Sequence, residues 1–233
     1  LVQRLRSEAR AGRPAADVFW SSEVFYTIRL AREGLLEPYV PPTAEDLPSR
    51  FIDPQRRWHG FALRARVIAY NTRRVRAEEA PRRLEDLLDA RWQGRVVMAA
   101  PEFGTTGGDV ASWFVHYGTE RAEEILRGLK ANGVRLVDGN STAVRAVARG
   151  QADVCLTDTD DVYAAQRNGW PVAMNFLDQG GEGVLVIPNT VALVRGGPHP
   201  TEGKALVAFL LSARVEEMLA RSDSHNTPAR AYL

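Results

Sequence analysis

Ala152-Asp153-Val154-Cys155-Leu156-Thr157-Asp158-Thr159-Asp160-Asp161-Val162-Tyr163 is the stretch on which the reading of the fold turns. Its apolar start predicts a short buried strand that ends abruptly in hydroxyls and acids. A helix is predicted to follow, from Val162 to about Asn168. In an open α/β sheet, ligands bind in the crevice beyond the C-terminal ends of the strands. Asp158, Asp160 and Asp161 place three carboxylates within four residues. Such groups repel one another unless a cation, a hydrogen-bond donor or water compensates them. The stretch therefore predicts one wall of a ligand cleft.

The same order of strand, polar turn and helix recurs three more times. A strand over 17–20 leads through Ser21-Ser22-Glu23 to a helix over 24–33. A strand over 95–101 leads through Thr105-Thr106-Gly107-Gly108 to a helix over 110–117. A strand over 134–137 leads through Asn140-Ser141-Thr142 to a helix over 143–149. Strands alternating with helices predict a mostly parallel sheet, so all four turns fall at C-terminal strand ends, the ligand side. Each turn has two readings. Ser21 or Ser22 caps the following helix, with Glu23 favourable in its first turn, or the turn offers hydroxyls and a carboxylate to a ligand. The Thr-Gly turn is a plain N-cap, or its free N–H groups and the helix dipole accept an anion. It matches neither the P-loop nor the dinucleotide fingerprint. Asp160 and Asp161 are likewise a first-turn charge and a solvated neighbour, or ligands. Four such turns together favour a site.

Elsewhere, residues 1–9 have helical spacing. Residues 39–54 read as a surface loop, and 58–71 as an extended run, long for one strand and suited to crossing between lobes. Residues 84–88 form a helix turn and 119–132 an amphipathic helix. Apolar runs at 184–188 and 191–194 read as strands broken by Pro188-Asn189, and residues 204–211 as a buried helix followed by another at 215–221. His59 reads as structural and His116 as core.

Composition narrows the function. The chain of 233 residues is one large domain or two lobes of about 100 residues each. With 30 basic and 29 acidic residues, it lacks the basic excess of a nucleic-acid protein. Cys155 alone excludes an intramolecular disulfide and a cysteine-rich metal site. No apolar run is long enough for a transmembrane helix. Leu1 begins within a helical pattern, which suggests a cut N-terminus, and no signal peptide is seen. A carboxylate pair suits glycoside hydrolysis, but no Gly-x-Ser-x-Gly or His-Glu-x-x-His motif is present and the four histidines are scattered. The chain is therefore read as a non-enzyme.

Four segments carry a resemblance. They are Ala16-Asp17-Val18-Phe19-Trp20-Ser21-Ser22-Glu23 with Gly34-Leu35-Leu36-Glu37-Pro38-Tyr39, then Arg64-Ala65-Arg66-Val67-Ile68-Ala69-Tyr70-Asn71-Thr72, and Gly139-Asn140-Ser141-Thr142-Ala143-Val144-Arg145-Ala146-Val147. Together they resemble extracellular solute-binding proteins of the ferric-ion-binding family, over nearly the whole chain. The resemblance implies the type II periplasmic-binding-protein fold, with two α/β lobes, a hinge of crossing strands and a ligand cleft. Lobe one would hold 1–67 and 190–233, and lobe two 68–189. It also implies delivery to the membrane permease of an ABC importer, in the periplasm or outside the cell, with a lipid anchor in some bacteria. Ferric ion would be cargo, not a cofactor.

Residue by residue, the family's first-lobe carboxylate matches Glu23, its anion-binding turn Thr105, Thr106, Gly107 and Gly108, and its cleft asparagine Asn140. Its tyrosine pair falls on Asp160 and Asp161, and Tyr163 lies two residues further on. Glu23, Asp160 and Asp161 are thus the candidate metal ligands, with oxygen donors that suit a hard cation. Ser21, Ser22 and Asp158 complete the candidate ligand-binding set. The loss of the tyrosines leaves a second ligand class open, a phosphorylated or polyhydroxylated organic molecule, and the bilobal fold also serves as a regulator's effector domain. The family's first strand would precede Leu1. A sheet edge left open by its loss predicts a dimer.

Overall fold

The computed structural model describes residues 1–102, 104–181 and 183–233. Phe103, which precedes the expected Thr-Gly turn, and Glu182 lie outside the described residues. The chain divides into two compact units. Unit one holds Leu1–Leu63, Ile187–Ser222 and Asn226–Leu233, and unit two holds Arg64–Val186 and Asp223–His225.

In unit one, helix α1 (Val2–Arg10) buries Leu5. Strand β1 (Val18–Ser21) leads to helix α2 (Val24–Arg32), which buries Thr27, Leu30 and Ala31. Gly34, at φ +75°, turns the chain out of α2, a conformation that costs glycine little. Strand β2 (Leu36–Glu37) follows. The stretch 39–54 is more than a surface loop: it makes short 3-10 turns at Pro42–Ala44 and Ser49–Phe51, and Ala44 and Leu47 enter the core. Strand β3 (His59–Asn71) is unbroken and carries residues of both units.

Unit two contains strand β4 (Val96–Ala99), helices α3 (Gly104–His116) and α4 (Thr119–Ala131), strand β5 (Arg135–Val137), helix α5 (Asn140–Ala148), strand β6 (Val154–Asp158), helix α6 (Thr159–Arg167) and strand β7 (Val172–Phe176). The sequence gives no separate signal for β7 next to Trp170-Pro171. In unit two the strands lie in the order β7-β3-β6-β4-β5. β4 pairs in parallel with β5 and β6, whereas β3 is antiparallel to both its neighbours, so β7 runs in the direction of β6 without pairing with it. The mostly parallel sheet expected from the sequence is therefore a mixed one. Parallel pairing requires a crossover connection, and α3 with α4 supplies it between β4 and β5, and α5 between β5 and β6.

Alternation along these strands builds three layers. Ile68, Val96, Met98 and Leu156 face Trp113 of α3 and Ile125 and Leu129 of α4. Val67, Ala69, Val97 and Cys155 face Val144 and Val147 of α5 and Val162 of α6. Burial pushes the Cys155 thiol pKa up, so the thiol is held protonated and unreactive.

Strand β8 (Val186–Val194) returns to unit one and is continuous through Pro188-Asn189, where two runs were expected. Proline suits an extended backbone wherever its missing N–H is not needed. Both β1 and β2 pair antiparallel with β8. Helix α7 (Pro200–Leu210) starts at a proline suited to a first helical position. It is one-faced rather than buried, with Val207 and Leu210 inside and Leu206 and Phe209 exposed. Helix α8 (Ala213–Ala220) closes the order. His116 is exposed and not core: the buried stripe of α3 runs through Thr105, Asp109 and Trp113, and His116 falls off it. Among the described residues, no helix is long and apolar enough to cross a membrane.

Candidate functional site

Three parallel strands end side by side in unit two, and a helix starts after each. The helices begin earlier than the sequence suggested, at Gly104, Asn140 and Thr159 rather than at Val110, Ala143 and Val162. Thr105–Gly108, Asn140–Thr142 and Asp160–Asp161 are therefore first-turn residues, not loops. The first turn of a helix has N–H groups without intrahelical acceptors, so polar and acidic side chains are tolerated there.

The β3–β6 register decides what faces the acids. Arg66 lies opposite Asp158 in the antiparallel pair. Side chains alternate along a strand, so Arg64 is carried on the same face as Arg66. Arg66 is fully buried; its Nη1 donates to Asp158 Oδ1 at 2.7 Å and its Nε to Asp109 Oδ2 at 2.9 Å. Burial opposes the charge of Arg66, but the two carboxylates outweigh it and raise its pKa. Arg64 Nη1 donates to Asp160 Oδ2 at 3.2 Å and lies 3.8 Å from Asp158 Oδ2. Reading the acids without their partners missed both arginines. The signal was present, as Arg-x-Arg on one strand and Asp-x-Asp at the end of another.

Asp158 is 1% exposed and fully engaged. Besides Arg66, its carboxylate accepts from Thr105 Oγ1 at 2.5 Å and from Asn140 Nδ2 at 3.0 Å. Asn140 Nδ2 also donates to Thr105 Oγ1, and Thr106 Oγ1 donates to Asn140 Oδ1 at 3.1 Å. Thr105, Thr106, Asn140 and Asp158 thus meet in one network that ties the ends of β4, β5 and β6 together. Asp109, which the sequence reading passed over, joins it through Arg66 and accepts from Trp113 Nε1 at 3.3 Å. Burial holds the Asp109 carboxyl above the usual range. Gly107 has a packing reason: a Cβ there would stand 2.6 Å from the Pro101 carbonyl oxygen. Gly108 is buried.

Asp160 and Asp161 differ from Asp158. Oxygen atoms of the three lie within 4.8 Å of one another, close enough to share a cation. Asp160 Oδ1 is buried and has no hydrogen-bond partner among the described residues. Burial raises the Asp160 pKa, and Arg64 works against that rise. Burial, with the charges of Asp160 and Asp158 added to it, raises Asp161 to about 7. Among the described residues, with every group ionised, four acids (Asp109, Asp158, Asp160, Asp161) face two arginines (Arg64, Arg66), a charge of 2 − 4 = −2.

In unit one, Ser21 ends β1, and Ser22 and Glu23 connect it to α2. Glu23 is the N-cap of α2 by backbone, but no serine side chain caps the helix. Instead the Ser21 hydroxyl accepts from the Glu23 N–H at 2.9 Å, and Ser22 is exposed. Thr190 Oγ1 donates to the Ser21 carbonyl and pairs with Thr27 Oγ1 at 2.7 Å, which fixes this turn against β8.

Residues 13–232 match the family model of bacterial extracellular solute-binding proteins. The chain belongs to that family. Iron uptake protein A1 of Synechocystis is 30% identical over 233 residues, spanning 96% of this chain and 64% of the relative. The major ferric iron-binding protein of Neisseria meningitidis is 26% identical over 213 residues, spanning 89% of this chain and 64% of the relative. The chain thus spans just under two thirds of these curated relatives. Among solved structures, iron-bound HitA of Pseudomonas aeruginosa superposes with a TM-score of 0.89 at 30% identity, over all of this chain and 75% of that one. Its structural neighbours have the type II periplasmic-binding-protein fold.

Proposed function

We propose that this chain is the cargo-binding part of the solute-binding component of an ABC importer, that it binds its cargo without transforming it, and that the cargo is ferric iron. The protein works outside the cytoplasmic membrane and hands its cargo to the membrane permease. The observation that carries this reading is the pair Asp160 and Asp161, beside Asp158. Their oxygens lie within 4.8 Å, one of them is buried with no hydrogen-bond partner among the described residues, and with every group ionised the cluster keeps negative charge after its own arginines are counted. Carboxylate oxygens are hard donors, and ferric ion is a hard cation. Where burial holds a carboxyl protonated near neutral pH, a cation takes the place of the proton.

In this reading Asp160 and Asp161 are metal ligands. Asp158, Thr105, Thr106 and Asn140 form the frame that fixes the start of α6, as a metal site's outer partners orient its ligands. A part for Glu23 is tested separately, by the effect of Glu23→Gln on iron affinity.

Native mass spectrometry of the protein as expressed tests the cargo. The expected spectrum shows an added iron ion that is lost on treatment with a strong ferric chelator. A bound phosphorylated or polyhydroxylated organic molecule in its place would overturn the ferric reading while keeping the binding role.

A further inference from the structure

The acid cluster of unit two carries a cation of its own. Arg64 Nη1 lies 3.2 Å from Asp160 Oδ2 and 3.8 Å from Asp158 Oδ2, and its side chain is only 10% exposed. The two arginines do different work. Arg66 is locked between Asp109 and Asp158 with no exposed surface, and both its contacts belong to the frame. Arg64 instead reaches a carboxylate that the ferric reading assigns to the cargo, and Asp158 Oδ2, at 3.8 Å, already accepts from Thr105 and Asn140.

We propose that Arg64 is the built-in counter-cation of the cargo site. It neutralises Asp160 while the site holds no cargo, and it gives up the Asp160 contact when a multivalent cation takes the carboxylates. The inference rests on the ferric reading and adds a specificity-determining residue to it. A guanidinium and a metal ion cannot share Asp160 Oδ2 at close range, because like charges repel strongly where water is scarce. Binding is then an exchange. A monovalent ion that replaces the guanidinium gains no charge for the site, whereas a trivalent ion does. Arg64 thus sets a charge threshold for entry. It also lowers the affinity below that of a bare acid pair, which eases release to the importer.

Titration of the full chain with Fe3+ in competition with nitrilotriacetate tests this, on the parent, Arg64→Gln and Arg64→Lys. Loss of one positive charge beside the site is expected to tighten ferric binding by about tenfold or more, given unit-charge interactions at these distances. Arg64→Lys is expected to restore the parent value. Weaker binding by Arg64→Gln, with the parent binding normally, would overturn the inference and leave the ferric reading standing. Absence of ferric binding by the parent would overturn both. A second measurement needs no variant: the side-chain nitrogen resonances of Arg64 are followed by NMR as the parent takes up Ga3+, a diamagnetic stand-in. They are expected to shift as the Asp160 contact is lost, and unchanged resonances in the Ga3+-saturated protein would overturn the exchange.

Discussion

Replacing Asp161 by Asn is expected to stabilise the cargo-free protein at pH 8 and to leave it nearly unchanged at pH 4. Burial, followed by the charges of Asp160 and Asp158, lifts the Asp161 pKa from the usual 3.8 to about 7. The sign follows from proton counts. An acid whose folded pKa exceeds its unfolded value binds more protons in the folded state between the two, so stability falls as pH rises through that window. Below about pH 4 the carboxyl is protonated in both states and costs nothing extra. Above pH 7 the folded state holds an ionised carboxylate at a penalty on the order of 4 kcal/mol, less where solvent screens it, so a gain of about 1–4 kcal/mol is expected from the amide. The assay is urea unfolding of the chelator-stripped parent and variant at pH 4, 6 and 8. A difference that stays constant with pH, or grows toward acid, would refute the reasoning. The comparison is between variant and parent because His59 works in the opposite direction over part of the same range.

His59 is buried, its Nε2 has no hydrogen-bond partner among the described residues, and burial lowers its pKa to about 4, helped by Arg56. Its folded pKa lies below its unfolded one, so stability is lost as pH falls from about 6.5 toward 4, and His59→Phe is expected to flatten that part of the unfolding profile. Arg66→Met strands two buried carboxylates and is expected to cost about 3–5 kcal/mol, read by chemical unfolding, with partial recovery at acid pH. Gly107→Ala is expected to destabilise by about 1–3 kcal/mol despite alanine's better helix propensity, because its Cβ would meet the Pro101 carbonyl at 2.6 Å; thermal melting of the variant checks it.

The strand–turn–helix order was legible because its signals are local. Apolar runs such as Val154-Cys155-Leu156 end at polar residues, and Gly34, Gly133 and Gly150 mark helix ends, each at positive φ. The acidic pair was legible as a candidate site for the same reason. What pairs with it was not. Arg64 and Arg66 look like ordinary alternation on a strand, and only the register that sets Arg66 opposite Asp158 brings them to the acids. Pairing between residues about 90 positions apart leaves no local mark. Asp158 therefore enters the candidate ligand-binding set, whereas Arg66, Thr105 and Asn140 occupy its carboxylate. The helix starts were misplaced because polar residues in a first turn resemble loop residues. His116 lies on an apolar segment, but apolarity alone does not say which face of a helix is buried, and His116 is exposed.

Ferric cargo at this site requires that the carboxylates of Asp160 and Asp161 hold the metal. The direct measurement is ferric affinity, by competition with a chelator of known strength, of the parent and of the Asp160→Asn/Asp161→Asn double variant. The parent is expected to bind with a Kd well below micromolar. The double variant is expected to bind about a hundredfold or more weakly, equivalent to roughly 2.7 kcal/mol, while unfolding no more readily than the parent at pH 8. Micromolar or weaker binding by the parent, or undiminished binding by the double variant, would contradict the assignment of ferric cargo to this acid pair.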